Sequence, residues 1–212
     1  MRALIIANGE PPSAETARAA AEGADLVIAT DGAAHKAAAL GLAPDVICGD
    51  FDSLDRAIAE HAFPEAEFLA LPDQSLADLE KALRLARERG ATEATFLGAG
   101  GGRVDHALTA VALLLRYASE LPLTLLHDGS AVRAVAGGAA APGRLSLRTR
   151  PGDTISLIAF DGHNRVTLTG VRWPLDGAAL PVGTHGVSNV AAADVVDVQV
   201  TAGAIVVCHL WG

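Results

Sequence analysis

The sequence predicts an α/β protein in two parts: a mostly parallel sheet interleaved with helices, then a smaller antiparallel β domain. Three observations carry this. From Ala3 to Leu126, short apolar runs alternate with longer stretches of helical periodicity. After His127 the texture changes to residue-by-residue alternation punctuated by Gly, Pro and Asp. Carboxylates, amides and glycine turns follow the predicted parallel strands, at the ends where an open α/β sheet binds its ligands.

The elements follow in order. Ala3 to Ala7 reads as the first strand and Ala14 to Glu22 as an Ala-rich helix. Leu26 to Thr30 is the second strand, and Ala33 to Leu40 a helix stopped by Gly41. Val46 to Cys48 and Glu67 to Leu71 are the third and fourth strands, with Cys48 expected as a small core residue. Leu79, Leu83 and Ala86 recur at helical spacing between Leu76 and Arg89, and Gly90 is the stop signal. Ala94 to Leu97, a helix from Val104 to Ala118, and Leu123 to Leu126 close the series. Strands separated by such helices pair in parallel through right-handed crossovers. Gly137 to Gly143 reads as a turn or linker. Beyond it Leu145/Leu147, Ile155/Leu157, Val166/Leu168, Val196/Val198/Val200 and Ile205/Val207 alternate as in a small β-sandwich or barrel.

Composition narrows the function classes. Of the 212 residues 50% are hydrophobic and only 4% aromatic, so the core is built from Ala, Val, Leu and Ile. A net charge of −9 argues against a general nucleic-acid binder, which carries a basic face. It leaves room for a phosphate site, because a divalent metal inverts the local charge. Two cysteines are too few for a disulfide framework or a Cys-rich zinc site. MRALIIANGE fits a first strand better than a signal peptide, and no apolar stretch is long enough to span a membrane. A cytoplasmic protein is the expectation.

The strand ends hold the candidate chemistry. Asn8-Gly9 follows strand one, Asp31-Gly32 strand two, and Gly49-Asp50-Phe51-Asp52-Ser53 strand three. Asp73-Gln74 follows strand four, with Asp78 opening the next helix, and GAGGGRVDH (Gly98 to His106) follows strand five. In an extended segment residues two apart share a side, so Asp50 and Asp52 face one divalent ion together. With Asp31 and Asp78 they form a set of hard oxygen ligands suited to Mg²⁺. The competing reading of Asp52 or Ser53 is a helix N-cap in a solvated turn. In GAGGGRVDH the glycines, Gly102 included, let backbone N–H groups approach an anion, and Arg103 offers a bidentate fork. Asp105 serves either the site or merely the start of its helix. No Lys follows this glycine run, which excludes a P-loop NTPase, and no GxGxxG follows the first strand. His35, His61, His127 and His163 lack paired metal spacing and read as structural. In the β domain, Gly186-Val187-Ser188-Asn189 is a polar turn, and Trp173-Pro174-Leu175 reads as packing between loop and sheet.

Six motifs in this order carry a resemblance: Ala7-Asn8-Gly9, Thr30-Asp31-Gly32-Ala33, Gly49 to Ser53, Asp73-Gln74 with Asp78 to Leu83, Gly102 to His106, and Gly186 to Asn189. Over nearly its full length the chain resembles the thiamine pyrophosphokinase (thiamine diphosphokinase) family. That resemblance implies a three-layer α/β nucleotide- and metal-binding domain over residues 1–136 and a thiamine-binding β-sandwich over 137–212. It implies a homodimer binding thiamine where the α/β domain of one subunit meets the β domain of the other, with Ser188 and Asn189 reaching the aminopyrimidine. Asp31, Asp50, Asp52 and Asp78 would then hold Mg²⁺ and the triphosphate of ATP, with Gln74, Arg103 and Asp105 lining the same cleft. Asn8, Gly32 and Gly102 belong to the nucleotide side. Asp50, Asp52, Asp78, Arg103 and Asp105 form the implied catalytic set. The chain departs from the family's usual Asp-Gln-Asp-x-Thr-Asp by carrying Ser75 and Ala77, and it lacks an aromatic between Thr201 and Val206, where animal members place one.

The reaction implied is transfer of the β,γ-pyrophosphoryl unit of ATP to the hydroxyethyl oxygen of thiamine, releasing AMP. Two rivals follow. One is a pyrophosphokinase of the same fold acting on another heterocyclic alcohol, such as a hydroxymethylpterin. The other is a non-catalytic thiamine- or nucleotide-binding regulator.

Overall fold

The structure is a computed structural model that describes residues 1–51, 54–138 and 140–212. The chain divides into two compact units, residues 1–110 with 124–128, and residues 111–123 with 129–212.

The first unit is an α/β sheet in the strand order β6 (Leu123–His127), β5 (Glu93–Leu97), β1 (Arg2–Ile6), β2 (Leu26–Thr30), β3 (Val46–Gly49) and β4 (Glu67–Ala70). The pairs β5–β1, β1–β2, β2–β3 and β3–β4 are parallel. Its strands are near-continuous apolar runs because both faces are covered. One face packs Leu4, Ile6, Ala29, Ile47 and Leu97 against α1 (Ala14–Glu22), α2 (Ala34–Leu40) and Phe63, which follows α3 (Arg56–Ala62). On the other, α4 (Asp78–Glu88) lies across β1, β2 and β3. Leu79, Ala82, Leu83 and Ala86 form its buried stripe at helical spacing. Small alanines allow α2 to approach β2 closely, as the aromatic-poor composition requires. The α1 helix is capped by Ser13, whose backbone N–H and hydroxyl both donate to Asp128 at 2.8 Å. The sequence reading omits α3, whose only buried residue within the helix is Ala59. α5 (Val104–Tyr117) starts in this unit, and its second half belongs to the other.

The second unit is a two-sheet sandwich built around one long strand, β13 (Val195–Leu210). Its first half pairs antiparallel with β8 (Gly143–Arg148) and β10 (Arg165–Thr169), which in turn pairs with β11 (Leu175–Ala178). Its second half pairs with β7 (Ser130–Gly137) and β9 (Thr154–Ile158), and β9 with the short β12 (Asn189–Val190). The change of partners falls at Gly203, whose φ is +70°, with Gly137 opposite it. Side chains from both sheets, among them Val135, Leu157, Leu168, Val198 and Ile205, fill a common core. The two alternating runs Val196–Val200 and Ile205–Val207 are thus halves of one strand, and β7 is a strand beyond those that sequence alternation predicts. Gly137 ends β7 and Gly143 opens β8. Among the described residues no helix is long and apolar enough to cross a membrane.

Candidate functional site

The ends of three strands and the starts of two helices in the first unit line a cleft of about 220 Å³: Asn8 and Gly9 after β1, Thr30 of β2, Gly98 and Gly101 after β5, Asp78 at the start of α4, and Asp105 on α5. The backbone of β2 enters a 3-10 turn at Asp31–Ala33, which buries the Asp31 side chain to 3% exposure. Asp31 Oδ1 accepts the N–H of Gly32 at 2.6 Å and Oδ2 that of Phe51 at 2.9 Å. Phe51 donates from a backbone with φ +61°, a left-handed conformation that a bulky residue adopts only when its surroundings impose it. Arg56 sits 5.5 Å over both the Phe51 and Phe68 rings and helps to hold this turn.

Burial pushes the Asp31 carboxyl above the usual carboxylate range; its two backbone hydrogen bonds oppose this, and the charges of Asp78 and Asp50 add to it. The three acids therefore lie within electrostatic reach of one another. Asp50 Oδ2 accepts from Gln74 Nε2 at 3.1 Å, so Gln74 bridges the ends of β3 and β4. Asp78 Oδ1 is 2.9 Å from Lys81 Nζ, one helical turn on. Burial alone would lower the Lys81 ammonium, but the hydrogen bond to Asp78 and the charges of Asp78, Asp50 and Asp31 outweigh it and raise it. Lys81 is the internal counter-charge of the acid group, and it was absent from the sequence-based site. Cys48 is fully buried beside this group, and burial, with Asp78 and Asp31, pushes its thiol up to about 12. It is an inert core residue.

Glycine makes room for the functional side chains. A Cβ on Gly32 would collide with the Asn8 amide nitrogen, and one on Gly49 with the Asp31 carboxyl carbon. The GAGGG segment is stitched to the first loop: Gly9 N donates to Gly98 O at 2.7 Å, and a Cβ on Gly101 would lie 2.6 Å from Glu10 Oε2. Gly98 and Gly102 have φ of +66° and +82°. Arg103 and Asp105 form a bidentate pair, Nε–Oδ1 3.1 Å and Nη2–Oδ2 2.6 Å, in full view of solvent. The guanidinium holds the Asp105 carboxyl down to about 2. Asp105 lines the cleft, whereas Arg103 is engaged by Asp105.

Asp52 and Ser53 lie outside the described residues. Among the described residues no three His, Cys, Asp or Glu side chains are disposed to hold a metal ion together. Mg²⁺ needs less: one or two carboxylates, with waters and substrate phosphates completing its shell. Asp50 after β3 and Asp78 at the start of α4 are hard oxygen donors within electrostatic reach of Asp31, so the residues present fit that ion.

In the second unit, Ser188 has φ +63°, and with Phe51 it is one of two positive-φ non-glycine residues among those described. Each therefore falls in a motif loop. The loop is pinned at several points: Ser188 N donates to Ser156 Oγ at 3.0 Å, Leu157 N to Gly186 O at 2.8 Å, and the buried Asn164 pairs with both the N–H and the C=O of Leu180. Asn189 Oδ1 accepts from Trp173 N at 3.2 Å and from Val190 N at 2.9 Å, and its Nδ2 donates to Trp173 O at 2.7 Å. Trp173 is 54% exposed, with Arg172 5.0 Å over its ring. This corrects the expectation that Trp173 packs between loop and sheet: its backbone is fastened to the polar turn by Asn189, and its indole is exposed. Distance in sequence concealed the link.

Residues 17–125 match the family described as thiamin pyrophosphokinase, catalytic domain, and residues 144–205 its vitamin B1 binding domain. The chain belongs to the thiamin pyrophosphokinase family. Thiamin pyrophosphokinase 1 of Caenorhabditis elegans is 28% identical over 188 residues, 83% of this chain and 75% of the worm protein. The thiamine pyrophosphokinase structure from Bacillus subtilis superposes with a TM-score of 0.84 at 23% identity, covering 100% of this chain and 99% of that one. That from Candida albicans gives 0.81 at 14% identity, covering 100% and 89%. Thiamin pyrophosphokinases thus share this fold at identities where few side chains are common. The two family matches bear out the resemblance drawn from the six motifs, and they do not favour the pterin or regulator alternatives.

Proposed function

We propose that the chain transfers the β,γ-pyrophosphoryl unit of ATP to the hydroxyethyl oxygen of thiamine, giving thiamine diphosphate and AMP. The observation that supports it most is the convergence of Asp31, Asp50 and Asp78 beyond the strand ends, in a chain that also carries the vitamin B1 binding domain. In this reading the thiamine oxygen attacks the β-phosphorus, the new O–P bond forms, and the bond from that phosphorus to the α,β-bridging oxygen breaks. AMP leaves with that oxygen, and the hydroxyl proton passes to a carboxylate. Asp78 and Asp105 are the two acids lining the cleft and the candidate acceptors of that proton.

Asp50 and Asp78 are the residues that would hold Mg²⁺, with Asp52 as the partner that the Asp-x-Asp spacing implies. When bound, the ion neutralises phosphate charge and stabilises the leaving group. Asp31 acts from beneath, fixing the Phe51 turn that presents Asp50. Asn8 and the glycine loops line the nucleotide side, and Arg103 orients Asp105. In the β domain, Trp173 offers a flat face to the aromatic rings of thiamine, Ser188 a hydroxyl, and Asn189 keeps Trp173 in place. The homodimer belongs to this proposal. Val104 and Leu108, four apart on α5, are 74% and 61% exposed and supply an apolar ridge for a second copy.

The test is AMP formation from ATP and Mg²⁺ with thiamine, with a hydroxymethylpterin, and with no acceptor. AMP only in the thiamine arm supports the reading. AMP in the pterin arm alone moves the substrate assignment, and none in any arm from folded protein leaves a binding role.

A further inference from the structure

The chain has only two lysines, Lys36 and Lys81, and both are hydrogen-bonded to segments of the site. Lys81 neutralises acids. Lys36 does something different: from α2 its ammonium donates to the backbone carbonyls of Asn8, at 2.6 Å, and Gly9. These consecutive residues form the turn after β1 and line the cleft. On its other side the same turn is tied by Gly9 N to Gly98 O, and Asn8 rests on Gly32. Two adjacent carbonyl oxygens are thereby drawn to a cation on the helix; left facing the cleft, they would repel an anionic ligand. A compact ammonium with three donors serves two neighbouring carbonyls from one point.

We propose that Lys36 is a positioning residue for the nucleotide: it fixes the Asn8–Gly9 turn in the form against which the phosphates of ATP lie. This rests on the reading that the cleft takes ATP. Its test is therefore direct ATP binding by calorimetry on the full chain with Mg²⁺, alongside KM for both substrates, in Lys36→Met and Lys36→Arg. The expected result is ATP binding weaker by roughly tenfold or more in Lys36→Met, as expected for the loss of charge-assisted hydrogen bonds. The KM for thiamine stays unchanged, and Lys36→Arg recovers most of the loss. Unchanged ATP affinity in Lys36→Met overturns the proposal. So does a loss shared equally by both substrates, accompanied by a lowered unfolding midpoint and not recovered by Lys36→Arg, which marks a structural role alone. If Lys36→Met does not fold, Lys36→Gln, which keeps a neutral N–H donor group without the charge, is read the same way. Wild-type protein that binds ATP in a Lys36-dependent way but releases no thiamine-dependent AMP leaves this proposal standing and removes the reaction.

Discussion

Gly49 leaves open the volume that the Asp31 carboxyl group fills: a Cβ built on Gly49 would lie 2.6 Å from Asp31 Oδ2 and closer still to its carboxyl carbon. The glycine of the GDFDS segment is thus required by an acid from the neighbouring strand. Asp31, placed there, captures the N–H of Phe51 and sets the turn that carries Asp50. A Gly49→Ala variant forces the carboxyl out of its seat. It should lose about 10²-fold in thiamine-dependent AMP release, the scale for a displaced electrostatic contact. Stability should fall by about 1–3 kcal/mol, as for an overpacked site. Activity and chemical denaturation of the variant check both.

Ala77 occupies the N-cap of α4 with the extended φ, ψ of −69°, 148° that capping residues adopt, but offers no side-chain acceptor. It stands where the family usually has a threonine, and Glu80 follows at the third helical position. Ala77→Ser should therefore stabilise the chain by about 1 kcal/mol. A gain of that size raises the midpoint of thermal unfolding by roughly 2–4 °C. Calorimetry is the check, and activity should not fall.

Trp173 is held by both edges of the Asn189 amide rather than by burial. Trp173→Ala should raise KM for thiamine by about tenfold, consistent with the ~0.5–1.5 kcal/mol of an aromatic pair plus lost contact area. The KM for ATP should stay within about twofold, a difference near the precision of such energies. Asn189→Ala should reproduce the effect through the displaced indole, and steady-state kinetics with each substrate varied distinguishes these outcomes.

Asp153 links the β8–β9 turn to the C-terminal end of β13: its Oδ2 is 2.8 Å from His209 Nε2 and also accepts from Arg150 N at 2.9 Å. The Arg150 backbone hydrogen bond first, then His209, holds its carboxyl below the usual range. A carboxyl whose folded pKa is depressed contributes stability above its unfolded pKa of about 3.9, and that contribution is lost as pH falls through the folded value. Unfolding free energy should decline below about pH 4, and Asp153→Asn should flatten that decline. Denaturant titrations from about pH 6 downward through the unfolded pKa provide the measurement.

Much of this architecture was legible because burial on both faces writes itself as continuous apolar strands, and α4 as a clean stripe from Leu79 to Ala86. The parallel order alone places Asn8, Asp31, Asp50, Gln74 and Asp78 at one end of the sheet. Where burial leaves no pattern, the reading failed. Helix α3 exposes Ile58 and buries only Ala59, so it has no apolar face to detect. β7 is an Ala-rich segment, SAVRAVAG, with little intrinsic strand preference; pairing along β13 makes it a strand. The roles of Lys36, Lys81 and Trp173 depend on partners distant in sequence or on the geometry of a turn, which spacing alone does not encode.

The measurement that tests the central claim most directly is the fate of isotope in one turnover with ATP labelled with ¹⁸O on its γ-phosphate, resolved by mass spectrometry. Transfer of the intact pyrophosphoryl unit predicts labelled thiamine diphosphate and unlabelled AMP in equal amounts, abolished in Asp50→Ala. Labelled thiamine monophosphate with ADP, or AMP accompanied by free labelled pyrophosphate and unmodified thiamine, would contradict it.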